Sequence, residues 1–190
     1  MNRLILILIL TLSFQPWTKA DDIRDFEIEG MSIGDSALDH FTKNEIIKGK
    51  RNYYKNNKFT DSEIFKKSQL YHSLHINYKT GDKRFIIKGI SGTILYRNNI
   101  SDCYKKRDKI VKEISNVFTN IKPKNGGKVK HRQDKSGKST LSNIMFNFNN
   151  GDIVMISCYD WSKKMNYVDH LRISFRTKEF KDFINYKAYK

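Results

Sequence analysis

The chain is poor in cysteine, in acidic residues and in long apolar runs, and each shortage excludes something. Only Leu4 to Leu12 is an almost unbroken Leu/Ile stretch. It falls well short of the ~20 apolar residues needed to cross a bilayer as a helix, and no second such stretch follows. No transmembrane segment is therefore expected. There are two cysteines, Cys103 and Cys158, with no CxxC pair and no neighbouring histidine. That argues against a thiol redox or nucleophilic site. No cysteine lies near residue 20 either, which argues against a lipid anchor. Acidic residues number 20 against 36 lysines and arginines, a formal net charge of +16.

Familiar chemical signatures are also incomplete. Ser136-Gly137-Lys138-Ser139-Thr140 resembles part of a phosphate loop, but the glycine needed five residues before Gly137 is replaced by Arg132. His72 and His75 would project to opposite faces of a strand, and no Cys or carboxylate adds ligands at useful spacing. No metal and no cofactor are expected.

The first twenty residues carry the pattern of an export signal. Arg3 gives a positive start, the Leu/Ile run an apolar core, and Thr18-Lys19-Ala20 small residues where a signal peptidase reads. On this reading 1–20 is a signal peptide and 21–190 a single exported domain, periplasmic or secreted. Losing Arg3 and Lys19 lowers the basic count to 34 against 20 acidic residues, leaving +14. A cationic surface favours anionic partners: anionic envelope lipid or lipopolysaccharide, an acidic protein, or extracellular nucleic acid. The abundance of Lys, Asn and Ile is also what an AT-rich genome produces. In an exported chain a single cysteine pair reads as a disulfide, here Cys103 with Cys158.

Periodicity then orders the chain. Phe26 to Ile33 reads as a short strand leading into a turn. Ser36 to Asp39 and Thr42 to Glu45 match the capping box and predict two short helices, the second stopped by Gly49. Residues 50 to 68 are basic and aromatic without clear period. Leu70 to Tyr78 alternates as a strand, and Phe85 to Tyr96 resumes as its hairpin partner, interrupted by Gly89 and Gly92. Asn99 and Asp102 cap a helix whose apolar stripe is Cys103, Ile110, Val111, Ile114, Val117 and Phe118. Thr119 to Ser139 reads as a long basic connection. Ile144 to Phe148 and Ile153 to Tyr159 flank Asn150-Gly151, a hairpin signal. Leu171, Ile173 and Phe175 make another strand, and Phe180, Phe183 and Ile184 a closing helix. The fold class is α+β: one antiparallel sheet built from hairpins with helices packed on it.

Residues 158 to 172 hold the densest cluster of functional residue types. Tyr159, Trp161, Lys163, Lys164, Tyr167 and Arg172 are candidates for binding, because a loop tethered by a disulfide and offering Tyr, Trp and Arg has the composition of a recognition hot spot. Asp160, Ser162 and His170 are the candidates for general acid, base or nucleophile roles. A second stretch, Lys48 to Phe59, interleaves cations with aromatics as single-strand nucleic-acid sites do.

The segments FEIEGMSIGDSALDHF at 26–41, DKSGKS at 134–139, CYDWSKKM at 158–165 and DHLR at 169–172 resemble a group of signal-peptide-bearing periplasmic proteins from AT-rich marine alphaproteobacteria. The resemblance spans most of residues 21–190 and implies an exported location, but brings no activity or site residue with it. A looser likeness, over Gly30 to Phe41 and the alternation of helices with hairpins, is to envelope modules such as the outer-membrane assembly lipoprotein BamE or β-lactamase-inhibitor-like domains. The expected function is a non-enzymatic binding module with a basic surface for an anionic or protein partner. The alternatives are an envelope-directed hydrolase using residues 160–172 and a secreted nucleic-acid-binding protein.

Overall fold

A computed structural model describes residues 22–65, 68, 70–97, 99–118 and 120–190. The expected signal peptide at 1–20 lies outside the described residues. Two four-stranded meanders make the sheet. The first is β1 (Lys50–Arg51), β2 (Phe59–Ile64), β3 (Ser73–Lys79) and β4 (Gly89–Leu95). The second is β5 (Lys124–Lys130), β6 (Thr140–Asn147), β7 (Ile153–Asp160) and β8 (His170–Arg176). They join edge to edge through β4 and β8, with Gly92 opposite Ile173, into one eight-stranded antiparallel sheet of order β1-β2-β3-β4-β8-β7-β6-β5. A short helix α1 (Lys43–Lys48) precedes the first meander; α2 (Ile100–Val117) follows β4 and α3 (Lys178–Tyr186) follows β8. The expected α+β architecture is present in one domain.

The period-2 alternation gives the sheet two chemically different faces. Leu74 and Ile76 of β3, Ile90 of β4, Leu171 and Ile173 of β8, and Val154 and Ile156 of β7 share one face and are all buried. Against it packs α2, which presents Cys103, Ile110 and Ile114. Its start is capped by Asn99, whose side chain accepts the Ser101 amide. Cys103 and Cys158 form a disulfide that joins the first turn of α2 to β7. Phe26, Ile28, Met31 and Ile33 complete this core. They do so as an irregular segment: the only pairing there is an isolated bridge between Ile28 and Met31, so the strand expected over 26–33 does not form. Four apolar side chains can all reach the core once Glu29 and Gly30 turn with positive φ.

Other departures have equally local causes. The first of the two expected helices is a 3-10 turn, Ala37–Asp39, capped by Ser36, whereas Thr42 and Glu45 form the full reciprocal box at the start of α1. The aperiodic stretch 50–68 contains β1 and β2, because β2 (FTDSEI) is buried on both parities and shows no alternation. The supposed basic connection contains β5, an exposed edge strand whose lysines and Gly126–Gly127 irregularity guard against further pairing. Gly92 lets the Tyr71 ring lie against β4 on the apolar face. Gly89 does the same on the other face, where an added Cβ would come within 2.6 Å of the Phe180 ring.

Candidate functional site

The second face of the sheet is polar, yet most of it is buried. Asp61 of β2, Ser73, His75 and Asn77 of β3, Ser91 and Thr93 of β4, Ser157 of β7, and His170 and Ser174 of β8 are each at most 9% exposed. Strand register places them side by side. Thr93 pairs with Arg172 and Arg172 with Ser157, and Ser157 in turn pairs with Asn143. One polar row thus crosses four strands.

Two aromatic groups roof this face from opposite sides. From the first meander and the C-terminus come Tyr54, Phe59, Phe180, Phe183 and Tyr189, packed edge to face. Tyr54 also accepts a hydrogen bond from Asn77 Nδ2 at 3.2 Å. From the second meander, Tyr159 stacks on His170 with centroids 4.5 Å apart, and Trp161 lies between His131 and Tyr167 at 4.4 and 4.8 Å. The two sides meet where the Arg132 guanidinium sits over the Tyr189 ring at 5.3 Å.

Between them lies a charged chain. Asp61 Oδ1 is 3.0 Å from His75 Nδ1 and Glu63 Oε1 is 3.4 Å from His75 Nε2. Arg51 pairs with Glu63 at 3.0 Å, and Asn77 donates to Asp61 Oδ2 at 2.6 Å. Burial and the Arg172 charge oppose protonation of His75, but the hydrogen bonds to Asp61 and Glu63 outweigh them and raise its pKa. The His75 hydrogen bond, backed by Arg51, holds Glu63 at about 2 against the opposing effect of burial. Arg172 reaches this chain through Nη2, 3.3 Å from His75 Nε2, and its guanidinium also lies over the Tyr159 ring at 5.5 Å.

Several buried polar atoms here have no hydrogen-bond partner among the described residues: Thr93 Oγ1, Asn143 Oδ1, Ser157 Oγ, Trp161 Nε1, His170 Nε2, Arg172 Nε and Ser174 Oγ. An unmet buried polar group costs about 1–3 kcal/mol. A concentration of them on one face is therefore a place where a bound polar molecule gains stability. His170 Nδ1 lies 2.9 Å from the Val168 carbonyl, which makes it the protonated nitrogen and leaves Nε2 as an acceptor. Burial, then Arg172, pushes the His170 pKa down to about 4, so the ring is neutral at pH 7.

The binding candidates fall on and around this face. Tyr159, Trp161 and Arg172 line it; Lys163 and Lys164, on a 3-10 turn, and Tyr167 stand exposed at its rim. The catalytic candidates have separate partners. Asp160 pairs with Lys128 at 3.3 Å. The Ser162 hydroxyl donates to Asp134 Oδ2 at 2.8 Å, and His170 engages Val168 and Tyr159. Asp169 accepts the Trp161 amide at 2.7 Å and so braces the loop. Asp134 explains the order of the GKS segment: its carboxylate accepts from the amides and hydroxyls of Ser136 and Ser139 and from Ser162. These hydrogen bonds, that of Ser136 foremost, hold its pKa far below the usual carboxylate range. What reads in sequence as the end of a long basic connection is a structured turn.

Sequence reasoning missed Asp61, Glu63, His75, His131, Arg132 and Tyr189. Only His75 carried a sequence signal, sharing with Ser73 and Asn77 the polar parity of β3; its alignment with Ser91 and Ser174, and with Asp61 and Glu63 of β2, comes from strand register. His72, by contrast, is exposed beside the Phe65 ring at 5.6 Å, so the two histidines diverge as expected. No group of three or more His, Cys, Asp or Glu among the described residues is arranged to hold a metal ion. No family model, curated protein or solved structure matches the chain.

Proposed function

We propose that the protein is an exported, non-enzymatic binding module that takes an anionic envelope component on the polar face of its sheet. The observation that carries the reading is Arg172, a permanent cation set in a row of buried hydroxyl and amide side chains with its Nε unpaired. The rim supports it. Lys163 and Lys164 are exposed and free of ion pairs among the described residues, and Tyr167, 59% exposed, leans edge-on against Trp161. Such a rim pairs mobile cations with anchored aromatic surface, the composition of a recognition patch. The disulfide and the signal pattern at the N-terminus together favour the periplasm or the exterior.

Sedimentation of the protein with vesicles containing anionic lipid or lipopolysaccharide, against neutral vesicles, tests the reading. Binding that needs the anion and is lost in Trp161→Ala and Lys163→Glu supports it. Equal binding to neutral vesicles, or no effect of either substitution, refutes the assignment.

A further inference from the structure

The unpaired atoms on the polar face specify more than a charge. Arg172 Nε only donates, and it carries a permanent positive charge. His170 Nε2 only accepts, because Nδ1 is committed to the Val168 carbonyl, whereas Asn143 Oδ1 lies over Gly126 of β5, away from the centre of the row. Ser157, Thr93 and Ser174, all at most 5% exposed, can do either. Register puts Ser157 and Thr93 on either side of Arg172, with Asn143 beyond Ser157 and His170 two residues along β8. A molecule that satisfies this set offers an anionic oxygen at Arg172 and a hydrogen-bond donor about one sugar ring away, toward His170. A simple carboxylate leaves the acceptor unmet, and so does fully ionised phosphate. A neutral sugar leaves the arginine unmet.

We infer that the row centred on Arg172 is a subsite for an acidic sugar, a ring bearing one carboxylate and several hydroxyls. The inference rests on the proposed anionic partner and names its chemistry. The carboxylate faces Arg172 and the Ser157 and Thr93 hydroxyls, while a ring hydroxyl donates to His170 Nε2. In the described conformation these atoms are covered by protein, so binding requires the side chains over the row to shift while the Arg172 guanidinium stays within reach of the carboxylate. Little holds the guanidinium in place: one 3.3 Å contact to His75 Nε2 and the Tyr159 ring. Tyr53, 45% exposed, and Tyr189, 39% exposed, border the same face and offer ring surface at its entrance.

Calorimetric titration of the whole protein with glucuronate, glucose and inorganic phosphate tests this, with a short oligogalacturonide as a polymer-end probe. Glucuronate or the oligomer should bind at least about ten-fold more tightly than glucose and phosphate, as expected for a charge-assisted contact. Arg172→Gln should abolish that preference. Ser157→Ala, which removes one buried hydroxyl with little change of shape, should weaken it while leaving the circular dichroism unchanged. Both acids binding no better than glucose or phosphate overturns the inference, as does an unchanged preference in folded Ser157→Ala and Arg172→Gln. If vesicle binding survives such a result, the acidic-sugar assignment alone falls; if vesicle binding is absent too, the anionic-partner reading falls with it.

Discussion

Reduction of Cys103–Cys158 offers the cleanest test of how the fold is held. The bridge links residues 55 apart in sequence, and both sulfurs are buried where α2 meets β7. In the chain-entropy treatment, closing a loop of that length removes about 14 cal/mol/K from the unfolded ensemble, or about 4 kcal/mol at 25 °C. For a domain of this size each kcal/mol moves Tm by about 2–4 °C, so the reduced protein should melt about 8–16 °C lower. The loss should also be uneven. α2 meets the sheet mainly through Ile110, Ile114 and the bridged cysteine, so its amides should lose hydrogen-exchange protection before those of β3 and β4. Urea unfolding with and without reductant, followed by circular dichroism, gives the stability difference; Cys103→Ala/Cys158→Ala gives it without reductant. A loss under about 1 kcal/mol would show that the reduced unfolded chain does not gain the loop entropy assigned to it, refuting the entropic argument.

Gly92→Ala forces a Cβ into the Tyr71 ring and should destabilise by about 1–3 kcal/mol, with Tyr71→Ala reducing that penalty in the double mutant; additive effects in chemical denaturation would count against the contact. NMR titration should find His170 neutral until about pH 4 and His75 titrating above the ordinary imidazole value; an ordinary midpoint for His170 would mean that its ring is not buried. Glu63 is lowered to about 2 from 4.5, so its contribution is complete above pH 4.5 and is lost as pH falls through 2. His75 is raised, so its contribution is complete below 6.5 and is lost as pH rises through its folded value. Glu63→Gln should flatten both limbs of a urea-midpoint profile taken from about pH 2 to about pH 9, and an unchanged profile would exclude the network as their source.

The apolar half of the molecule was legible because only one chemistry suits it. Leu74, Ile76 and Ile173 alternate with polar neighbours, and Cys103, Ile110 and Ile114 repeat at helical spacing, so period assigns element and face. The expectation of export, together with a single pair of cysteines, pointed to the disulfide that forms. β2 was not legible, since Asp61 and Ser62 are buried on opposite faces and a strand buried on both sides has no alternation to detect. β5 was hidden for the opposite reason: an edge strand exposed along its length carries lysines and glycines, the composition of a loop. At the candidate site, the segment 159–172 stood out by composition, and Tyr159, Trp161 and Arg172 do line one face. Its other half, Asp61, Glu63 and His75, depends on β2–β3 register, which is a long-range property that composition does not record.

The two faces have different duties, and the topology separates them. The apolar face is closed by α2, a disulfide and the Phe26–Ile33 segment, a set that suffices for a core. The polar face is covered by rings that rest on β3 and β7, and beneath them lie charged and hydroxyl groups, several of them without a hydrogen-bond partner among the described residues. Replacing Ser157 or Ser174 by alanine would relieve an unmet polar group, so each substitution should leave stability unchanged or raise it. A position where removing a group stabilises the free protein is a position retained for something other than stability. Here that marks the row around Arg172, where the Thr93, Ser157 and Ser174 hydroxyls are all buried and unpaired among the described residues.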